Sequence, residues 1–254
     1  MLLDAAAFVA TNRLDLSAVQ PDYVALSFYK MFGYPTGVGV LLARRPALAK
    51  LHRPWFAGGT ITVASVQADR HVLAAGEAGF EDGTVDYLDI PAIELGLELL
   101  DEVGLETVHE RVRCLTGWLL DALGGLHHAS GRPLVRIYGP REPAGRGGTV
   151  AFNLADAGGR LIDHRRVEEA ANARRISLRT GCFCNPGAGE VALGLSRGEL
   201  ERCFAASPSG MTYEDFRGCI SPEGSGAVRV SLGAVSDFAD VWALVELLRE
   251  FVER

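Results

Sequence analysis

Three side chains suited to sulfur chemistry lie within one hexapeptide, residues 179–184, of sequence Arg-Thr-Gly-Cys-Phe-Cys. The planar guanidinium of Arg179 can bind a carboxylate through two parallel hydrogen bonds. Cys182 and Cys184 supply thiols, and a thiol near a fixed positive charge ionises more readily and becomes a nucleophile. An amino acid held by its carboxylate beside a thiolate is the arrangement that sulfur transfer needs, so the hexapeptide is a candidate substrate site.

A lysine and an aspartate form a second candidate group. Lys30 follows a short apolar run, residues 23–28, and precedes a turn rich in Gly and Pro. α/β sheets bind ligands at such strand ends, where a partly desolvated lysine has a lowered pKa and can form a Schiff base. Asp4 ends a predicted neighbouring strand, where a carboxylate can pair with the ring nitrogen of pyridoxal phosphate (PLP). Either residue alone is explained as a surface lysine or a turn aspartate, but together they favour a cofactor site.

Four further residues have groups suited to a phosphate. The hydroxyls of Ser27 and Tyr29 flank Lys30, and Gly83 and Thr84 lie in a predicted loop, residues 80–89. A second turn, residues 58–60, has the sequence Gly-Gly-Thr and offers similar donors. Each of these is a weak signal, because such turns are common and a buried serine hydroxyl ordinarily bonds to the backbone.

The cysteines also have less specific explanations. A Cys-x-Cys pair can ligate a metal, but no second pair lies at a structural zinc spacing and His164 is isolated, so we predict no metal site. A buried structural cysteine is common, whereas residues 185–189, Asn-Pro-Gly-Ala-Gly, predict a flexible, exposed loop that favours a reactive thiol. Cys114, Cys203 and Cys219 lie on or beside predicted helices and are interpreted as packing residues.

Composition and charge limit the classes of function. The 254 residues carry a net charge of −7 and show no basic cluster, which argues against nucleic-acid binding. No segment approaches the ~20 consecutive apolar residues of a membrane span, and the first residues lack the positive leader of a signal peptide. Five cysteines without framework spacing are typical of reduced thiols, so we expect a cytoplasmic protein.

Hydrophobic periodicity predicts an α/β chain with a change of domain near residue 104, giving domains 1–104 and 105–254. Asp163 and Ser236 are predicted helix caps, and Arg229 is expected to pair with a carboxylate. The predicted strands are residues 23–28, 38–43, 134–138, 149–154, 176–178 and 227–232. The predicted helices are residues 64–79, 91–103, 105–123, 164–173, 196–206 and 212–218, with a final helix after residue 236.

The order of these motifs resembles that of class V PLP-dependent enzymes. Asp-Ala-Ala-Ala at residues 4–7, Ser-Phe-Tyr-Lys at 27–30 and the hexapeptide at 179–184 occur in the order used by cysteine desulfurases. The resemblance is greatest to the desulfurase-like domain of molybdenum cofactor sulfurases. Three further stretches support that match: residues 32–37, 185–187 and 226–233.

The resemblance implies an α/β fold of the PLP-dependent transferase type, fold type I. It implies a partial large domain with a mixed, mostly parallel sheet, and a smaller C-terminal α/β domain. By this analogy Lys30 forms the Schiff base with PLP, Asp4 pairs with the ring nitrogen and Arg179 binds the substrate carboxylate. The pattern Arg-x-Gly-x-x-Cys places the persulfide-forming thiol at Cys184 rather than Cys182.

Partners also follow from the resemblance. Family members are homodimers, in which the loop with Gly83 and Thr84 is expected to reach the phosphate bound by the partner subunit. The substrate is expected to be L-cysteine or another amino acid, and the sulfur is expected to pass to an acceptor protein. Family members have a longer segment before the aspartate strand, and sulfurases have a further C-terminal domain, so we expect the N-terminal part of the large domain to be missing.

Two alternatives stay open. Lys30 and Arg179 would serve another class V enzyme equally well, such as an aminotransferase, a lyase or an epimerase. The chain is also consistent with a truncated, non-catalytic half that needs a partner chain.

Overall fold

The structure is a computed structural model that describes residues 1–206, 210–220 and 226–253. The chain divides into two units, Met1–His109 and Glu110–Arg254. The sequence pattern places the change of domain slightly earlier, near residue 104. Each unit is built around its own β-sheet, and the two groups of candidate residues belong to different units.

A three-stranded sheet in the first unit places the candidate cofactor residues. Strands β1 (Leu2–Asp4) and β2 (Tyr23–Ser27) run parallel, and β3 (Gly39–Ala43) pairs antiparallel with β2. Ala5, Val9 and Val24 form a small buried core. Because β1 and β2 are parallel neighbours, the residues that follow them meet at one edge of the sheet.

Short helices and a hairpin complete the first unit. They are α1 (Phe28–Phe32), α2 (Arg45–Leu48), the hairpin of β4 (Ile61–Ser65) and β5 (Arg70–Leu73), a 3₁₀ turn (Gly76–Gly79) and α3 (Pro91–Val103). The predicted helix after residue 90 is confirmed, with Pro91 in its first turn. Gly104 ends it with a φ of 82°, which favours glycine.

A four-stranded antiparallel sheet, in the order β6-β7-β9-β8, forms the centre of the second unit. Its strands are β6 (Val135–Tyr138), β7 (Thr149–Leu154), β8 (Arg179–Gly181) and β9 (Ala227–Ser231). Its helices are α4 (Leu105–Gly124), α5 (His164–Ala173), α6 (Pro186–Leu193), α7 (Arg197–Ala206), α8 (Tyr213–Ile220) and α9 (Phe238–Arg249). Helix α4 begins in the first unit. Val150, Phe152 and Leu154 alternate along β7 and are fully buried, as the period of a strand requires. Predicted core residues after residue 236 are also buried: Val241, Leu244, Val245, Leu248 and Phe251.

The helix predicted for residues 64–79 is wrong. The chain instead forms the β4–β5 hairpin, in which Val63 pairs with Val72 across the strands. Asp69 adopts a left-handed φ of 47° at the turn, a conformation that aspartate tolerates better than most residues. Cross-strand pairing of β-branched residues therefore outweighs the helix propensity of the alanines.

Local structure around the hexapeptide also differs from the prediction. Residues 185–189 are not a flexible loop, because Asn185 caps α6, with its Oδ1 accepting a hydrogen bond from the Ala188 amide at 3.1 Å, and Pro186 fills the first helical position. The strand predicted at residues 176–178 lies three residues later, since Arg179 pairs with Arg229 of β9. The start of the hexapeptide is therefore itself β8.

The two predicted helix caps have different outcomes. Asp163 is the N-cap of α5 and accepts a hydrogen bond from the Arg165 amide, as predicted. Ser236 is not the cap of α9, because Asp237 and Asp240 form a reciprocal capping box one residue later. Ser236 instead accepts a hydrogen bond from the Gly233 amide through its hydroxyl.

The packing interpretation is confirmed for Cys203, which is fully buried, and is wrong for Cys114 and Cys219, which are exposed. Cys203 and Cys219 are joined by a disulfide between α7 and α8, with their Cα atoms 5.6 Å apart. Cys114 is exposed, as are Cys182 and Cys184, and these three thiols are free.

Candidate functional site

Lys30 and Asp4 lie at the same edge of the first sheet. Asp4 pairs in register with Ala25, so β1 and β2 direct their carboxyl ends to this edge. Lys30 lies in α1, beyond the end of β2 at Ser27, rather than at the strand end itself. Both charged side chains are exposed, and Oδ1 of Asp4 accepts a hydrogen bond from the Ala6 amide at 3.0 Å. The edge therefore presents an amine and an oriented carboxylate together.

The two hydroxyls predicted beside the lysine are close to it in the chain, and they differ in exposure. Ser27 is half-buried at the start of α1, and its side chain makes no capping hydrogen bond there. Tyr29 is exposed, and Nζ of Lys30 lies 5.9 Å from the centroid of its ring. That distance is within the range of a cation–π contact.

Helix α1 is held in place by α3. The ring of Phe32 lies so close to Gly96 that a Cβ at that glycine would be 2.3 Å from ring carbons. In the turn after α1, the Tyr34 hydroxyl donates a hydrogen bond to Oδ1 of Asp89 at 2.5 Å, which raises the pKa of Tyr34. Residues far along the sequence therefore set the position of Lys30.

Replacing Gly96 with alanine is expected to destabilise the first unit by about 1–3 kcal/mol, the usual cost of overpacking a tight contact. The added Cβ displaces Phe32 and with it α1. Urea unfolding measures the loss. Gly198→Ala is the matched control, because Gly198 lies in α7 with open space around it, and alanine there should be neutral or slightly stabilising. Equal stability of the G96A variant and the wild type would show that this contact does not fix α1.

The two turns predicted to bind phosphate lie against each other. The Gly83 amide donates a hydrogen bond to the Gly58 carbonyl at 2.7 Å. Gly59 has a φ of 85°, and a Cβ there would lie 2.8 Å from the Gly83 carbonyl oxygen, so the contact requires glycine. Thr60 is fully buried, and its hydroxyl bonds to the backbone of its own turn. Thr84 is exposed and is the residue of this pair of turns that presents its hydroxyl to solvent.

Sequence reasoning missed Arg53, which binds this loop. Its side chain is buried, and its guanidinium forms an ion pair with Oδ1 of Asp82 at 2.7 Å. The hydrogen bond from Arg53 lowers the pKa of Asp82. In the sequence, Arg53 is a single arginine in a short segment with Pro and Trp, which does not distinguish it from an ordinary surface residue.

Arg179 lies in β8, an edge strand of the second sheet, directly opposite Arg229. It is exposed, whereas the next residue is anchored: the Thr180 hydroxyl donates a hydrogen bond to Oε2 of Glu168 on α5 at 2.9 Å. The guanidinium of Arg229 lies over the ring of Phe183, 5.0 Å from its centroid, a contact that sequence analysis did not predict. Arg179 is thus held on a fixed strand with its guanidinium open to solvent.

Cys182 and Cys184 are both exposed and lie in one tight turn. The Asn185 amide donates a hydrogen bond to the Cys182 carbonyl at 3.0 Å. Phe183 and Cys184 have φ values of 55° and 60°, in the left-handed region that non-glycine residues rarely adopt. Such conformations persist only where surrounding structure imposes them, and they cluster at functional sites. The thiol of Cys184 is therefore presented on a defined turn.

A buried histidine supports the strand beneath this turn. A Cβ at Gly226 would lie 2.8 Å from Cε1 of His164 and 2.9 Å from the Cα of Gly181, so these groups are in close contact. Burial lowers the pKa of His164, which favours the neutral ring near pH 7. A hydrogen bond from Arg165 holds the pKa of Asp163 at about 2. Asp163 also pairs with Arg217 of α8 at 2.9 Å, so α5 and α8 are tied together.

Other candidate features lie elsewhere or are absent from the described residues. A cavity of about 250 Å³ is lined by Pro21, Asp22 and Arg44, at the end of β2 opposite to Lys30.

Within residues 1–206, 210–220 and 226–253, no cluster of three or more His, Cys, Asp or Glu side chains is arranged to hold a metal ion. In the same ranges, no helix combines the length and apolar character needed to cross a bilayer.

Comparison with known proteins gives consistent matches. The family model described as aminotransferase class-V matches residues 1–244. Human molybdenum cofactor sulfurase is 37% identical over 254 residues, which cover 98% of this chain and 28% of the human protein. The chain therefore spans less than a third of the length of that relative.

Solved structures show the same fold. The apo cysteine desulfurase from Thermococcus onnurineus NA1 superposes with a TM-score of 0.73 at 22% identity, covering 99% of this chain and 52% of that one. A mutant of the protein C-DES, with glycine covalently linked to its PLP cofactor, has a TM-score of 0.63 at 20% identity and covers 95% of this chain and 49% of its own. The α/β fold of PLP-dependent transferases predicted from the motifs is thereby confirmed.

Proposed function

The chain belongs to the class V aminotransferase family, and on that premise we propose that it forms part of a PLP-dependent cysteine desulfurase of the sulfurase type. The enzyme removes the sulfur of L-cysteine and holds it as a persulfide on Cys184. The observation that carries the proposal is that Asp4 ends β1 and Lys30 follows β2, its parallel neighbour, so that both lie at one edge of the sheet. The similarity to molybdenum cofactor sulfurase, which spans the hexapeptide, supports the sulfur chemistry.

The residues at the edge of the first sheet fit PLP. Lys30 offers an exposed amine, Asp4 an oriented carboxylate for the ring nitrogen, and Ser27 and Tyr29 offer hydroxyls for the phosphate. When bound, PLP withdraws electrons from the α-carbon of an amino acid and so makes loss of the α-proton feasible. The chain's task is to hold the cofactor at Lys30 and to orient its ring through Asp4.

The chain's own residues then perform the remaining steps. Arg179 binds the substrate carboxylate through its planar fork, and the amine of Lys30, once released, takes the proton from the α-carbon. The thiolate of Cys184 attacks the substrate sulfur, so that an S–S bond forms as the C–S bond breaks. The electron pair of that C–S bond stays on the substrate carbon, which takes up a proton, and alanine is released.

Product analysis tests the proposal. The chain is incubated with PLP and L-cysteine, and alanine and protein-bound sulfane sulfur are quantified. The proposal predicts both products in equal amounts in the first turnover. Pyruvate would indicate a lyase, a keto acid of cysteine an aminotransferase, and D-cysteine an epimerase. If none of these products formed, the chain would be a half that needs a partner chain to act.

We extend the proposal to a homodimer and to a sulfur-acceptor protein, in the cytoplasm. Exposure of the Gly83–Thr84 loop supports a role at the phosphate bound by a partner subunit. Exposure of Cys184 on a defined turn supports transfer of the sulfur to the acceptor.

A further inference from the structure

Arg53 makes polar contacts to two separate points of the chain that follows the hairpin. One guanidinium nitrogen, Nη1, forms the ion pair with Oδ1 of Asp82 at 2.7 Å and donates a hydrogen bond to the Gly79 carbonyl at 3.2 Å. The guanidinium also lies over the ring of Trp55, 5.2 Å from its centroid. The Arg53 side chain is 7% exposed, whereas that of Asp82 is 54% exposed. A buried cation thus meets a carboxylate at the surface.

The ion pair lies next to the contact between the two glycine turns. Asp82 directly precedes Gly83, whose amide and carbonyl both meet the Gly58–Gly59 turn. Arg53 lies a few residues before that turn in the chain. Two neighbouring contacts therefore hold this segment: Arg53 binds Asp82, and Gly83 binds Gly58. Thr84 is the next residue, and its position depends on both contacts.

Charge balance makes Asp82 the specific partner. A buried guanidinium needs a compensating anion, and removal of that anion leaves an uncompensated charge. Because Asp82 is more than half exposed, water compensates part of the charge of Arg53 when Asp82 is neutralised, so the larger effect of that change is on the geometry of the loop. In the part of the chain that the structure describes, Nε of Arg53 is buried and makes no hydrogen bond, so the guanidinium depends all the more on Asp82 and Gly79.

We propose that the Arg53–Asp82 ion pair is a positioning element that sets the Gly83–Thr84 loop for the phosphate of the PLP bound by a partner subunit. This inference rests on the proposed function. It predicts a selective effect. Disruption of the pair weakens binding of the phosphate group, whereas binding of the aldehyde by Lys30 and of the ring nitrogen by Asp4 is unchanged.

Comparison of PLP with pyridoxal, which lacks the phosphate, measures that effect. Adduct formation at Lys30 is titrated by absorbance with each aldehyde, for the wild type and for Arg53→Met, Arg53→Lys and Asp82→Asn. The preference of the wild type for PLP over pyridoxal is expected to fall roughly tenfold in Asp82→Asn and Arg53→Met, as for loss of one charge-assisted contact. Arg53→Lys keeps the charge and should restore part of the preference. Glu81→Gln, a neighbouring exposed carboxylate, is the matched control and should behave as the wild type.

Each outcome decides the inference. An equal loss of PLP and pyridoxal binding would indicate a merely structural role and overturn it, as would an unchanged preference in both variants. If the wild type bound the two aldehydes equally at Lys30, the loop would have no role at the phosphate, although the proposed function would survive. No adduct at Lys30 in the wild type would overturn the proposed function and the inference together. Should Arg53→Met fail to fold, Asp82→Asn changes the exposed partner alone and carries the test.

Discussion

Replacing Cys184 with serine is expected to abolish sulfur release from L-cysteine while sparing cofactor binding at Lys30. Serine keeps the size of the side chain but lacks the thiolate that attacks the substrate sulfur, and enzymes that lose their nucleophile slow by a factor on the order of 10³ or more. Sulfide release in the presence of a reducing thiol measures the rate, and the absorbance of the lysine-bound cofactor measures binding.

Cys182→Ser is the matched control for this prediction. Cys182 lies in the same turn and is also exposed, so its replacement makes the same chemical change two residues away. Its turnover should stay within a few-fold of the wild type. Sulfide release retained by the Cys184 variant, or lost equally in both variants, would contradict the assignment of the persulfide to Cys184.

Replacing Lys30 with glutamine is expected to eliminate both the covalently bound cofactor and the formation of alanine. Glutamine has a similar length, but its amide does not condense with an aldehyde and does not take up the α-proton. The expected loss of turnover is again on the order of 10³ or more. Alanine formation and the visible spectrum after incubation with PLP are the two measurements.

The chain offers an exact control, because its sequence contains only two lysines, Lys30 and Lys50. Lys50 is exposed and lies beyond α2, away from the end of β2 that leads to Lys30. Lys50→Gln should keep the wild-type spectrum and activity. Alanine formation by the Lys30 variant would show that this amine is not the catalytic one.

Lys30, Asp4, Arg179 and Cys184 could be selected from the sequence as candidates, because short motifs carry their chemistry. The parallel pairing of β1 and β2 follows from two apolar runs with polar residues at their carboxyl ends. The conformation around these residues could not be read in the same way. Lys30 lies in a one-turn helix, since the chain turns immediately after Ser27 to place Phe32 on Gly96.

The remaining errors arise where tertiary contacts override local preference. Residues 64–79 have the composition of a helix, but pairing of Val63 with Val72 makes them a hairpin. The Arg53–Asp82 pair joins residues far apart in sequence, and no local pattern indicates it. In contrast, α6 was predictable in principle: Asn185 followed by Pro186 is a helix start, although the neighbouring glycines favoured a loop.

The most direct test of the central claim is the identity of the amine that binds PLP. The chain is incubated with PLP, reduced with borohydride and digested, and the modified peptide is mapped. The account predicts a single adduct on Lys30. The chain's other primary amines are Lys50 and the amino group of Met1, which pairs with Asp22. An adduct on either of these instead, or no adduct at all, would contradict the claim that the edge formed by β1 and β2 is the cofactor site.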